Sequence, residues 1–174
     1  MRTDLTNEQI LHVQQDLPAF PPEIINEWLG PYVQSEGWPP NSERHEVSTD
    51  RWRYLLGMRP VSYWASFTWQ RTKIIPTIED LGQASNQTLA QLITGYVQGK
   101  PNIYTQQIPD GKQRFQSVLS YLSIHKSFPG FPVLAVQADG LEVLDGNHRM
   151  AAYFTLVASG KAPFPVPVWL GQAT

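Results

Sequence analysis

The chain contains no cysteine among its 174 residues. Disulfide bonds, thiol nucleophiles and zinc sites built from thiolates are therefore excluded. It also lacks any apolar run approaching the roughly 20 residues that a helix needs to span a bilayer. The first 18 residues carry acids and have no apolar stretch of the kind found in secretion signals. These absences predict a cytoplasmic protein with no membrane span.

Charge is scarce and unevenly distributed along the chain. Charged residues make up 16% of the sequence, and the net charge of −2 argues against broad, non-specific coating of DNA. Residues 1–50 have a net charge of −7, whereas residues 51–174 have a net charge of +5. A bound anion is therefore expected with the second part. The alternative is that the two parts only attract each other.

The first third of the sequence predicts short helices separated by prolines. The run TNEQILHVQQDL starts with Thr6 and has Gln9 three residues later, the spacing of a capping box. The run PPEIINEWLGPYVQSEG has apolar residues at helical spacing after two prolines. Residues 51–71 are rich in aromatics and arginine, with a strand expected around residues 61–69. Stacking on nucleic-acid bases and a packed core covered by arginine side chains are both open interpretations.

Two further helices are predicted in the second half. NQTLAQLITGYVQGK has one apolar face and a glycine, Gly99, suited to a helix end. KQRFQSVLSYLSIHKSF has apolar residues at the spacing of an amphipathic helix. The intervening PNIYTQQIPDGK predicts a loop or an irregular hairpin.

The last 44 residues give the clearest pattern. FPVLAV and LEVL predict two strands joined by an Asp-Gly turn, followed by a helix over residues 148–159 that Gly160 stops. FPVPVWL predicts a final strand, placed at a sheet edge because of its prolines. The fold class is α+β, with an acidic helical extension over residues 1–60 packed on a core of residues 61–174 in one compact domain.

The turn in LEVLDGNHRMAAYF concentrates polar side chains where a strand gives way to a helix. The first N–H groups of a helix lack intrahelical partners and carry a partial positive charge, so they bind anions. Gly146 permits positive φ, and Asn147 is a candidate N-cap. Arg149 in the first turn is unfavourable for the helix unless an anion binds there. The alternative explanation is that Arg149 pairs with Asp145 or caps a neighbouring carbonyl.

These residues resemble the core of the ParB/sulfiredoxin superfamily. Residues 113–170 show its order of elements: a helix, a Pro-initiated strand, a hairpin, a glycine turn followed by arginine, a helix of small residues and a final strand. DGNHRMAA is similar to the DGHHR version of the family turn. The resemblance implies a small mixed sheet with flanking helices and covers about a third of the chain.

The resemblance also implies a nucleotide site. Gly146, Asn147, His148 and Arg149 would hold the phosphates of ATP or another nucleotide, and Asp145 would hold Mg²⁺ (or Mn²⁺) or a ribose hydroxyl. Family members include sulfiredoxins, CTP-binding partitioning proteins, a free-serine kinase, proteins described as nucleases and a plasmid fertility-inhibition protein. This chain is similar in size to the last type and shares its extra N-terminal part.

The chain departs from the family pattern in three ways. Asn147 stands where sulfiredoxin has its cysteine, so repair of cysteine sulfinic acid is excluded. The sequence ends a few residues after the final strand, which disfavours the partitioning role with its adjacent DNA-binding domain. The family's first segment matches only weakly, at KIIPTIEDL, which leaves the base-binding half of the site in doubt.

Hydrolysis at this turn would need charge neutralisation and a positioned nucleophile. Arg149 and His148 are the catalytic candidates at the turn, with His148 as hydrogen-bond donor or proton acceptor. Glu79 and Asp80 are the first candidates for the general base. A second set lies in a polar loop: Glu43, Glu46 and Asp50. His45 and His125 are weaker metal-ligand candidates, because lone histidines at such spacings are more often structural.

Two functions from different classes follow. The first is an enzyme, a metal-dependent ATPase with DNA phosphodiester cleavage as a second activity, serving to inhibit transfer of a plasmid or T-DNA. The second is a non-catalytic inhibitory or nucleotide-sensing module that binds a protein partner through the tryptophan-rich segment and the acidic first third. A small-molecule kinase is a third interpretation, which needs a second pocket.

Overall fold

A computed structural model describes residues 3–40 and 52–174 of the chain. The helices of the first part are α1 (Asn7–Asp16), α2 (Pro22–Ile24), a π-helical turn (Ile25–Leu29), α3 (Gly30–Glu36) and α4 (Val61–Trp64). Both predicted helices of the first third are confirmed. The capping box is present, because Thr6 accepts from the Gln9 N–H and Gln9 accepts from the Thr6 N–H.

The second part alternates helices with a small sheet. Its elements are β1 (Phe67–Ile74), a 3₁₀ turn (Ile78–Asp80), α5 (Gln83–Tyr96), α6 (Ile103–Gln106), α7 (Gly111–His125), β2 (Val133–Gln137), β3 (Gly140–Asp145), α8 (Asn147–Ala158) and β4 (Val166–Ala173). The α+β class is confirmed. Within the residues that the structure describes, no helix is long and apolar enough to cross a membrane.

The four strands form one sheet in the order β1-β4-β2-β3. β2 and β3 form the predicted antiparallel hairpin, with Gln137 opposite Gly140 at the turn and Val133 opposite Asp145 at the far end. The register shifts between Val133 and Leu134, which indicates a β-bulge just before the end of β3. The extra residue is Leu144, so the bulge adjusts the backbone two residues before Gly146.

Three local predictions are wrong. Residues 61–69 do not form one strand, because Pro60 starts the short helix α4 and the strand begins only at Phe67. The expected loop after Gly99 contains α6, which starts because the Asn102 side chain accepts from two backbone N–H groups. The final strand is not at an edge, since β4 lies between β1 and β2. Pro167 is the second residue of the strand and lies close to its start.

The contacts divide the chain into two compact units, Met1–Gln70 with Gly171–Thr174 and Arg71–Leu170. The boundary expected from the sequence was at residue 60, within a single compact domain. In the first unit the rings of Trp28 and Trp69 lie 5.3 Å apart and those of Phe20 and Trp69 lie 5.4 Å apart. In the second unit, α5, α7 and α8 bury their apolar faces in one hydrophobic core.

All six tryptophans are buried, with exposed fractions of 8% or less. The interpretation of the aromatic run as a packed core is therefore confirmed, and the guanidinium of Arg59 lies over the rings of Tyr63 and Trp64 as expected. The tryptophans do not provide the exposed partner surface that the second functional hypothesis assigned to them. Their large apolar rings favour burial over exposure to water.

Candidate functional site

The β3–α8 turn has the backbone conformation that anion binding needs. Gly146 adopts φ 94°, as predicted for a glycine that reverses the chain, and it is the N-cap of α8. Asn147 is the first helical residue, so the prediction that it would be the N-cap is wrong by one position. Within the described residues no side chain caps this helix start. The first N–H groups of a 12-residue helix therefore remain directed at whatever lies in front of the turn.

The guanidinium of Arg149 folds back over the turn. Its Nη2 donates to Oδ2 of Asp145 at 3.0 Å, and the Arg149 side chain is 19% exposed. A methyl group on Gly146 would lie 3.0 Å from Nε of Arg149, and one on Gly130 would lie 3.1 Å from Nη1. Two glycines thus provide the space that the arginine occupies, and only small residues fit there.

The Asp145–Arg149 pair is the alternative to a bound anion that the sequence left open, and it is present. Both side chains keep hydrogen-bonding capacity beyond this contact. A guanidinium has five N–H groups, of which this contact uses one, and the Asp145 side chain is 40% exposed. The pair holds the arginine across the helix start, where it neutralises part of the repulsion between the cation and the helix dipole.

His148 lies on the other side of the helix start, against the end of α5. Its Nε2 is 3.1 Å from the Tyr96 hydroxyl, and the two rings are tilted by 34° with centroids 5.5 Å apart. Tyr96 in turn stacks on Phe115 at 5.3 Å. A side chain on Gly111, the first residue of α7, would collide with the Tyr96 hydroxyl. The starts of α7 and α8 therefore approach the same hydroxyl group.

The surroundings of His148 favour its neutral form. Burial lowers the pKa of His148 below its ordinary value of 6.5; the positive charges of Arg114 and Arg149 lower it further, while Asp110 acts in the opposite direction. Burial raises the pKa of Tyr96. The positive charge of Arg114 acts to lower this pKa, and the negative charge of Asp110 acts to raise it. At neutral pH the Tyr96–His148 contact is thus between two uncharged groups.

The start of α7 adds a second arginine near the turn. Arg114 lies 4.0 Å from Asp110 in an exposed pair that includes the residue preceding the helix. Its charge acts on both His148 and Tyr96. Within the described residues no side chain caps the start of α7 either. The positive potential around His148 therefore has contributions from two helices.

The structure does not bring Glu79 and Asp80 to the turn. Asp80 accepts from the Thr77 N–H, and its carbonyl lies against Gly140, where β3 begins. Asp145 is at the other end of β3, about 17 Å away along five residue steps of a strand. Neither carboxylate is within hydrogen-bond reach of a phosphate at the helix start, so we do not assign the general base to them.

Of the remaining candidates, the structure describes only His125, which lies away from the turn. The acids of the polar loop and His45 lie in residues 41–51, outside the described residues. His125 is at the C-terminal end of α7, where its ring contacts Tyr121 at 4.2 Å. It is thus at the opposite end of that helix from Gly111.

A metal site made by the protein alone does not fit the residues present. Among residues 3–40 and 52–174, no three histidine or acidic side chains converge on one point. Asp145 is a single carboxylate, and one of its oxygens accepts from Arg149. Mg²⁺ can be held by one or two carboxylates when phosphates supply the other oxygens. Asp145 fits that type of site only, with the metal arriving on a nucleotide.

Three residues of the site were missed by the sequence analysis: Tyr96, Arg114 and Gly130. Tyr96 lies at the end of α5 and is 8% exposed, and its spacing in the sequence gives no indication of a role at the turn. For Gly130 the sequence did contain a signal, the PGFP stretch, which has a glycine between two prolines directly before β2.

Comparison of the chain with models of protein families, with curated proteins and with solved structures finds no match. The ParB/sulfiredoxin resemblance stays a prediction.

Proposed function

We propose that this protein binds a nucleotide through its phosphates at the β3–α8 turn. One observation carries the proposal: the Arg149 guanidinium lies across a helix start that has no side-chain cap within the described residues, held at 3.0 Å by Asp145. Free backbone N–H groups and a guanidinium are the donors that phosphate oxygens prefer. The ParB/sulfiredoxin resemblance adds the expectation that the phosphates belong to ATP or a related nucleotide.

The residues of the turn would act by binding and orientation. Arg149 would bind phosphate oxygens through N–H groups that Asp145 does not use, and Asp145 would keep the guanidinium over the turn. His148, neutral at pH 7, would donate one hydrogen bond to a phosphate oxygen. Mg²⁺ arriving with the nucleotide would supply charge neutralisation at the phosphates.

Nucleotide binding is tested by titrating ATP with Mg²⁺ into the wild type and two variants. Arg149→Met removes the guanidinium, and we expect about tenfold or more weaker binding because a charge-assisted hydrogen bond contributes about 1.5–3 kcal/mol. Lys161→Met is the matched control, since it removes one exposed cation beyond the other end of α8. Equal affinity of the Arg149 variant and the wild type would reject the site.

Hydrolysis is the second part of the proposal. Release of inorganic phosphate from ATP and nicking of plasmid DNA, each with Mg²⁺ or Mn²⁺, should both fail in Arg149→Met if they use this turn. Binding of ATP without turnover would favour the nucleotide-sensing alternative. A conjugation assay with the wild type and this variant tests inhibition of plasmid or T-DNA transfer, which rests on the family resemblance alone.

The alternative of a protein-binding inhibitor can use the acidic side chains of the first unit and the exposed Tyr54 and Met58 of the tryptophan-rich segment. Asp4, Glu8 and Glu23 are exposed, whereas the tryptophans are buried. A partner surface built on these acids would bind more weakly as salt is added. That salt dependence separates it from a surface built on aromatic side chains.

A further inference from the structure

We propose that the Tyr96 hydroxyl donates to Nε2 of His148 and fixes this side chain as a neutral Nδ1–H donor at the start of α8, which lets it donate to an anion there without being protonated. The second half of this inference rests on the proposed function. The first half is a property of the protein without ligand. Tyr96 is a positioning residue in this arrangement, because it acts on a ligand only through His148.

The Tyr96 hydroxyl is held in place from three sides. Its ring stacks on Phe115 with centroids 5.3 Å apart, and its oxygen lies against Gly111, where any side chain would collide with it. The third contact is His148, with 3.1 Å between Oη and Nε2. A hydroxyl held this firmly fixes the orientation of the imidazole as well as its hydrogen bonding.

The direction of this hydrogen bond follows from the groups around it. If Tyr96 donates, its one proton and the lone pair of neutral Nε2 are satisfied together. If Nε2–H donates instead, the hydroxyl proton needs another acceptor. Arg114 can only donate, and among the described residues the hydroxyl has no hydrogen-bond partner other than Nε2 of His148. Donation by Tyr96 is therefore the favoured arrangement, and it leaves the proton of His148 on Nδ1.

The charges that face His148 oppose its protonation. Tyr96 faces it from α5, Asp110 and Arg114 from the start of α7, and Arg149 from its own helix. Burial lowers the pKa of the imidazole, and the excess of two cations over one anion adds to this effect. An unprotonated His148 still offers one N–H to a phosphate oxygen, so binding gains nothing from acid in the neutral range.

The imidazole tautomer can be measured directly in the ligand-free protein. Long-range ¹H–¹⁵N spectra at pH 7 should show the His148 ring protonated at Nδ1, with the signal identified by its loss in His148→Gln. Tyr96→Phe keeps the ring stack but removes the donor, and it should convert the signal to the Nε2–H form or a mixture. An Nε2–H tautomer in the wild type, or an unchanged tautomer in Tyr96→Phe, overturns the proposal.

Binding of ATP then tests the consequence for the ligand. The measured quantity is the ratio of wild-type to Tyr96→Phe affinity at each pH. Titration of the ATP phosphates affects both proteins equally and therefore does not change this ratio. We expect the variant to bind about fivefold more weakly at pH 8, the effect of one hydrogen bond. The loss of affinity in Tyr96→Phe should become smaller toward pH 6, because protonation of His148 in this variant restores the proton on Nδ1. A ratio that is constant with pH contradicts the inference.

The chain offers a matched control in a second tyrosine–histidine contact. Tyr121 and His125 on α7 have ring centroids 4.2 Å apart, but the described contacts include no hydrogen bond between them. Tyr121→Phe should leave the His148 tautomer and the ATP affinity unchanged. If the tautomer measurements give the expected results but ATP binds neither to the wild type nor to the variants, the proposed function is rejected. The role of Tyr96 in fixing the tautomer is then still supported.

Discussion

At the scale of single residues, Gly146 is the position where backbone conformation and side-chain packing coincide. Its φ of 94° is a conformation that costs other residues about 1–2 kcal/mol. A methyl group there would also lie 3.0 Å from both Pro132 and Arg149. Glycine is therefore required at this position for two reasons: the backbone has positive φ there, and the Arg149 side chain leaves no space for a larger residue.

Gly146→Ala should destabilise the protein more than Gly160→Ala. Gly160 also has positive φ, 76°, but nothing lies within 4 Å of a side chain added there. Both variants incur the backbone cost, so the difference between their free energies of unfolding in urea isolates the crowding at Arg149 and Pro132. Equal losses would mean that Arg149 and Pro132 move aside without cost.

His148 makes stability depend on pH in a defined direction. Its pKa is lower in the folded protein than the ordinary value of 6.5, so the unfolded chain binds more protons between the two values. Stability is therefore fully present above about pH 6.5 and is lost as pH falls toward the folded-state pKa. Urea unfolding from pH 8 to pH 5 should show a smaller decline in His148→Gln than in the wild type. An equal decline would contradict the neutral, partly buried histidine.

At the scale of elements, the outer edge of β3 is covered by the start of α5. The Gly82 N–H donates to the Leu141 carbonyl at 2.9 Å, and the Val143 N–H donates to the buried Ser85 hydroxyl at 2.9 Å. Asp139 of the hairpin turn accepts from the Gln83 N–H at 3.0 Å. Through these contacts the backbone groups at the edge of β3 and at the start of α5 find hydrogen-bond partners that neither element provides for itself.

Ser85→Ala should therefore cost about 1–3 kcal/mol of stability, because it leaves the buried Val143 N–H without its acceptor. Thr88→Ala in the same helix is the control, since its hydroxyl only donates to the Ala84 carbonyl of its own helix. Amide hydrogen exchange provides a local measurement: the Val143 amide should lose protection in the Ser85 variant alone. Retained protection would show that another acceptor replaces the hydroxyl.

At the scale of the whole molecule, the burial of all six tryptophans gives the native protein a testable optical signature. Each is 8% exposed or less. Acrylamide should therefore quench the native fluorescence much less than that of the urea-unfolded chain, because the quencher must contact the indole. A readily quenched fraction near one sixth of the emission would indicate that one tryptophan is exposed and available to a partner.

The sequence by itself determined the features that depend on residues near each other in the chain. Helix periodicity located α1, α5, α7 and α8, the Asp-Gly pair located the β2–β3 hairpin, and the glycine of the DGNHR turn predicted positive φ. These predictions succeed because capping, turn geometry and amphipathic spacing are local physical effects. The proline rule misplaced β4 because an edge position depends on neighbouring strands rather than on the strand's own residues.

Only the tertiary structure decided which side chains meet at the turn. Packing of α5 and α7 against α8 brought Tyr96 and Arg114 to His148 across 52 and 34 residues of sequence, distances over which spacing carries no signal. The same packing left Glu79 and Asp80 at the opposite end of β3. It also buried the tryptophans, because the apolar area they remove from water outweighs any local preference for exposure.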